Sequence, residues 1–158
     1  MFGHLNETEI EQVLTSQLIG HLGCHAEGLT YVVPVSYVYD NHFVYGHAQE
    51  GLKLAMMRLN PKVCFQVDTM KDMANWRSVV AWGEFEELLV EADREKAFDK
   101  LVGRELPLIS SETTHLSSRW PFSSYDKDEL GGAYFRIRLD KKTGRYETNA
   151  VALVHLNG

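Results

Sequence analysis

Apolar and polar positions recur with two different periods along this chain, and the changes of period mark out its elements. In NETEIEQVLTSQ, Ile10, Val13 and Leu14 fall at helical spacing, and Asn6 stands three residues before Glu9 as in an N-terminal capping box. A short helix docked by one face is expected there. From Leu18 to Ala48 (LIGHLGCHAEGLTYVVPVSYVYDNHFVYGHA) the density of Val, Tyr and Phe, broken at Glu27-Gly28 and Asp40-Asn41, predicts three strands in a meander. Helical spacing returns from Gly51 to Asn60 and stops at Pro61. KVCFQVDT and WRSVVAWGEFEELL predict two more strands, separated by a loop around Met70 to Asn75. EADREKAFDKLV is a charged amphipathic helix with a solvated face. An irregular stretch runs from Gly103 to about Gly132, and AYFRIRLD supplies a sixth strand ahead of the turn-like KKTGR.

Six mostly antiparallel strands with a few short helices outside them favour a small barrel, because closure removes exposed sheet edges. The interior of so small a barrel is filled by side chains. Any large ligand must therefore lie outside it, in a groove that a second subunit commonly completes.

Composition narrows the function classes. The chain has 158 residues, 44% of them hydrophobic, which fits one domain over 1–158 with a real core. Its formal charge is −6 and the two signs are interspersed, which argues against nucleic acid or an anionic membrane as partner. Cys24 and Cys64 form no CxxC pair and read as buried thiols in a reducing compartment. MFGHLNETEIEQVL lacks a basic n-region and an apolar h-region, and no apolar run approaches ~20 residues. A soluble cytoplasmic protein is expected.

Lys53 is the residue out of place. It stands one residue into the Gly51–Asn60 helix, where the helix dipole already puts partial positive charge. An anion sharing the site removes the conflict: the helix start offers unpaired N–H groups, Gly51 permits close approach, Lys53 adds a cation and His47 a further donor. On spacing alone, a plain turn followed by a solvated lysine remains the competing reading. His47 can serve as a phosphate contact, a substrate contact or a proton donor, with the phosphate-side or structural role slightly favoured, and is the one candidate catalytic residue. His21 and His25 share a strand face but lack further ligands, so no metal is expected. Of Trp76, Trp82 and Trp120, Trp76 is best placed to meet a ring, being next to the strand that carries Ser78.

The ordered set YVVPVSYVYDNHFVYGHAQEGLKLAMMRLNPKVCFQVD and WRSVVAWGEFEEL resembles the FMN-binding split barrels related to pyridoxamine 5'-phosphate oxidase, and within them the nitroimidazole-resistance-like branch. RIRLDKKTGR is similar to the usual last strand and turn of that family. The resemblance implies a mainly β, six-stranded antiparallel split β-barrel of FMN-binding type. It implies that FMN lies across Pro34, Val35, Ser36 and Tyr37, with its phosphate at His47, Gly51 and Lys53 and its ring bordered by Ser78, Val79 and Trp76. A homodimer with FMN at the subunit interface and reduction of a small oxidised substrate, such as a nitroaromatic or quinone, by NAD(P)H are the matching expectations. The C-terminal Trp and Arg-x-His element of pyridoxamine phosphate oxidase proper is missing from TGRYETNAVALVHLNG, so vitamin B6 oxidation is not expected. The alternative is a non-catalytic flavin- or haem-binding protein of the same fold, haem requiring an axial ligand such as His47, His115 or His155.

Overall fold

The computed structural model describes residues 1–104 and 131–149. Strand β1 (Phe2–His4) precedes helix α1 (Glu7–Ser16), followed by β2 (Ile19–Ala26), β3 (Leu29–Asp40), β4 (Phe43–Ala48), α2 (Leu52–Leu59), β5 (Lys62–Asp72), β6 (Asn75–Glu87), α3 (Glu91–Val102) and β7 (Ala133–Glu147). The strands pair antiparallel in the order β1-β7-β4-β3-β2-β5-β6, and β6 pairs back onto β7. Six strands thus close a ring, and β1 lies on the outer edge of β7, with Phe2 opposite Glu147. This is the expected split barrel.

Alternation along each strand decides what fills the ring. Leu22 and Cys24 on β2, Val35, Tyr37 and Tyr39 on β3, Phe65 and Val67 on β5, Val79 and Ala81 on β6 and Phe135 and Ile137 on β7 belong to one buried cluster. Each helix covers a surface that this cluster would leave wet. Helix α1 begins with the Asn6–Glu9 capping box and lays Ile10, Val13 and Leu14 over one end. Helix α2 buries Leu54, Met56 and Met57 at the far end, where the Cys24 Sγ lies 4.0 Å from Met56 Sδ. Helix α3 seals the outer face of β4 and β7 through a second cluster of Tyr45, Leu88, Ala97, Leu101 and Tyr134. Among the described residues, no helix lies over the outer face of β2, β5, β6 and the first half of β3. Val32, Ile19 and Trp82 are exposed there by 62%, 48% and 41%, and a groove of about 550 Å³ runs between His21, Gly23, Val32, Cys64 and Trp82.

Several local expectations are corrected. The loop around Met70 to Asn75 shrinks to Met73-Ala74, because the Asp72 carboxylate accepts from the Ala74 N–H at 2.9 Å and holds a tight hairpin. The second meander turn is centred on Asn41 and His42, whose φ values of 47° and 69° match a primed hairpin turn. KKTGR is strand and not turn: β7 continues to Glu147, and Asp140 is the extra residue of a bulge opposite Trp82 and Gly83. A Cβ on Gly83 would stand 2.0 Å from the Arg138 carbonyl oxygen, so the bulge requires glycine. Cys24 is buried as expected, but Cys64 points outward and is half-buried. Most of the irregular stretch from Gly103 to Gly132 lies outside the described residues.

Tyr37 joins α1 to the barrel. The last carbonyls of a helix have no intrahelical donor, and the Tyr37 hydroxyl, fully buried, donates to that of Leu14 at 2.6 Å. Tyr37→Phe strands this acceptor and is expected to lower stability by about 1–2 kcal/mol in urea unfolding. An unchanged midpoint would mean that α1 does not depend on this bond.

Candidate functional site

The start of α2 is bare. Gly51, its N-cap, is extended (φ 173°, ψ −166°), and no side chain among the described residues caps the helix. The first backbone bond of the helix runs from the Ala55 N–H to the Gly51 carbonyl at 3.1 Å, so the N–H groups of Leu52, Lys53 and Leu54 precede the intrahelical ladder. A Cβ built on Gly51 meets only the Gln49 carbonyl oxygen, at 3.9 Å. Neither backbone conformation nor packing demands glycine here, and the residue leaves the donors open to close approach. Half-buried Lys53 lies near enough to His47 and Cys24 for its charge to be felt by both: burial raises the Cys24 thiol and Lys53 opposes that rise, whereas at His47 it adds to the lowering by burial.

His47 ends β4 opposite Tyr134 of β7, the two rings 4.8 Å apart. Its Nε2 donates to the Gly131 carbonyl at 2.6 Å. Gly131 and Gly132 have φ of 62° and 68°, and a Cβ on Gly132 would stand 2.3 Å from the Ala48 carbonyl oxygen. This glycine pair lets β7 begin tight against the end of β4. Burial holds His47 below the usual histidine range; the Gly131 bond opposes this, and the charges of Arg94 and Lys53 add to it. The neutral ring has one N–H, which goes to Gly131, so a second donor toward an anion requires protonation.

On β3 the four expected residues divide by facing. Val35 and Tyr37 point into the core, whereas Pro34 and Ser36 point outward. The N–H of Tyr37 donates to the Leu18 carbonyl, so its own C=O is directed the same way, past the start of β2, where Arg104 donates to it at 3.0 Å. By alternation, the backbone groups of Pro34 and Ser36 face the β4 side. That pairing covers only Tyr37–Asp40, so the missing N–H of Pro34 costs no ladder bond and its C=O borders the split between β3 and β4. The enclosed Ser36 Oγ has no hydrogen-bond partner.

The β6 candidates lie elsewhere. Val79 is in the core, the Ser78 hydroxyl accepts from Gln66 Nε2 at 3.1 Å, and Trp76 donates through Nε1 to Glu147 at 3.1 Å and meets Phe2 edge-on. Ser36 pairs with Ile19, the β2–β5 register carries Ile19 opposite Asp68, and Asp68 pairs with Ser78. Ser36 and Ser78 therefore share one transverse row, three strand spacings or ~14 Å apart. The structure brings Lys53, two residues past Gly51, near His47 and leaves Trp76 and Ser78 on β6, three strands away from Ser36.

Sequence reasoning did not single out Arg104 on the Tyr37 carbonyl, Arg94 or the Gly131-Gly132 pair. The paired glycines ahead of the last strand were a usable signal; Arg104 stands in no pattern. His21 and His25 both face outward, their Nδ1 atoms at 3.2 Å from Gln66 Oε1 and 3.0 Å from Thr30 Oγ1. Among the described residues no group of His, Cys, Asp and Glu could hold a metal. His115, His155 and Trp120 lie outside the described residues.

Residues 6–146 match the family model described as pyridoxamine 5'-phosphate oxidase. Among solved structures, a FAD-binding protein from Mesorhizobium loti is 29% identical, with a TM-score of 0.73 over 94% of this chain and 99% of that one. A candidate 5-nitroimidazole antibiotic resistance protein from Bacteroides thetaiotaomicron shares the fold at 19% identity, with a TM-score of 0.70 over 92% and 87% of the two chains. An uncharacterised protein of Rhizobium meliloti is 30% identical over 84 residues, and this match spans about half of each chain, 53% of this one and 56% of the relative. No helix among the described residues is long and apolar enough to cross a membrane.

The lowered pKa of His47 has a defined sign. The folded state binds this proton less well than the unfolded chain, so His47 contributes stability above the ordinary histidine range, and the contribution is lost as pH falls through that range toward the folded value. His47→Gln is expected to flatten the pH dependence of stability between neutrality and mild acid, with the ring of the wild type titrating below the usual range by NMR. A normal or raised ring titration would contradict this.

Proposed function

This chain belongs to the pyridoxamine 5'-phosphate oxidase family, and on that premise we propose that it is a homodimeric FMN flavoprotein that reduces a small oxidised substrate at the expense of NAD(P)H. The observation that carries the reading is the uncapped start of α2, where Gly51 leaves the backbone N–H groups open and Lys53 stands beside His47. A dianionic phosphate gains there from the dipole, from those donors and from a cation, and it removes the conflict that Lys53 otherwise creates. FMN presents such a terminal phosphate. The outer strip of β3 suits its ring: Pro34 and Ser36 face outward and the Pro34 C=O borders the split.

Bound flavin would supply the hydride and electron transfer. The chain's own residues orient it, exclude water on the β3 side and set the charge at its phosphate end. His47 belongs to the phosphate end or to the support of the site rather than to proton transfer, because its neutral N–H is already held by Gly131. Haem ligation by His47 through Nε2 would have to break that bond. A nitroaromatic or quinone acceptor suits a ring lying in an open groove, and a cytoplasmic setting would supply the nicotinamide nucleotide.

The distance between the two groups of candidates supports a dimer. One ring held over Ser36 is ~14 Å from Ser78 of the same chain, so Trp76 and Ser78 reach a flavin only when supplied by a second copy. The bare face with Ile19, Val32 and Trp82 is the surface through which that copy would pack.

Two measurements test this. Lys53→Ala is expected to weaken FMN by about ten- to a hundredfold while leaving riboflavin, which lacks the phosphate, nearly unchanged; equal losses would remove the cradle. Dilution that dissociates the dimer is expected to release flavin, and a monomer in light scattering that keeps one FMN per chain would refute the composite site.

A further inference from the structure

Arg58 forms two bidentate pairs from one guanidinium. Its NH1 and NH2 donate to Glu50 at 2.7 and 2.8 Å, and its Nε and NH2 donate to Glu87, at the end of β6, at 2.9 and 2.7 Å. Glu50 immediately precedes Gly51. An acidic side chain at that place would ordinarily turn onto the helix start, where the dipole and the unpaired N–H groups attract it. Here it is drawn the other way. The Arg58 backbone lies six residues beyond Leu52, ~9 Å further along the axis of α2, and its guanidinium, rather than the N–H groups of the helix start, takes the Glu50 carboxylate. Glu87 fixes the other half of the fork against β6, so the guanidinium cannot follow Glu50 if it swings back.

We infer that Arg58 is a positioning residue that keeps the start of α2 open by holding Glu50 away from it. The inference rests on the proposed phosphate cradle and adds its internal competitor. The Glu50 carboxylate is the intramolecular rival of a phosphate: released, it caps the same N–H groups and places a negative charge beside the ligand. The guanidinium both removes that charge from the cradle and neutralises it. The bond to Arg58 holds the carboxyls of Glu50 and Glu87 below the usual carboxylate range, so both pairs are fully charged at neutral pH. Lysine could not replace this residue fully, because it has no planar fork with which to grip two carboxylates at once.

The test compares FMN with riboflavin, titrated into the apoprotein, across Arg58→Met, Glu50→Gln and the double variant. Arg58→Met is expected to weaken FMN by roughly three- to tenfold and leave riboflavin unchanged. Adding Glu50→Gln restores FMN affinity, since the amide carries no competing charge, while Glu50→Gln alone changes little. Arg58→Lys, which keeps a cation should the methionine variant fold poorly, gives a smaller loss of the same kind. Equal weakening of both ligands, or an FMN loss that Glu50→Gln does not rescue, would show a merely structural role and overturn the inference. Lys53→Ala run in parallel separates the two levels: an FMN-specific loss there with Arg58→Met silent overturns this inference alone, whereas silence in both overturns the cradle.

Discussion

The pairing of β6 with β7 closes the sheet, and closure at six strands leaves an interior that Tyr37, Phe65, Phe135 and their neighbours fill completely. Everything chemical about this chain is displaced by that constraint to the outside of the barrel. Helices then divide the exterior. Helix α3 occupies the face of β4 and β7, α1 and α2 close the ends, and what the described residues leave uncovered is the face of β2, β5 and β6 with the split beside β3. The candidate site lies at the end of β4, where Lys53 at the start of α2 comes near His47.

Electrostatics at this junction would suit an anion. Lys53 stands at the positive end of a helix, His47 is kept from protonating by burial and by neighbouring cations, and Arg58 draws the nearest carboxylate away. Each is locally unfavourable or conspicuous alone, and a single phosphate would reconcile them. The far group on β6 follows a different logic. Its residues are held by neighbours within the chain, Ser78 by Gln66 and Trp76 by Glu147, so they form a surface already ordered before any partner or ring meets it.

How far the sequence disclosed this depended on range. The Asn6–Glu9 cap, the Glu27-Gly28 turn and the Gly51-Leu52-Lys53 helix start are local signals, and the structure reproduces each. The continuation of β7 through Lys141–Glu147 was not legible. Its turn-like residues are held as strand by β6, and the Asp140 bulge absorbs the mismatch opposite Gly83. Strand β1 was missed because three residues carry no period, and it exists only as an addition to β7. Among site residues, His47, Gly51 and Lys53 are close in the chain and were readable together. Gly131 reaches His47, and Arg104 the Tyr37 carbonyl, from distant positions through tertiary contacts that no spacing encodes. The separation of Ser36 from Ser78 likewise required the register of three ladders.

The central claim is that a flavin mononucleotide is the resident ligand. The most direct measurement is the absorption spectrum of the freshly purified chain, followed by heat release and chromatographic identification of any chromophore. The account predicts flavin bands and release of FMN at one per chain. A Soret band, or release of FAD or riboflavin in place of FMN from a protein that does not take up added FMN, would contradict it.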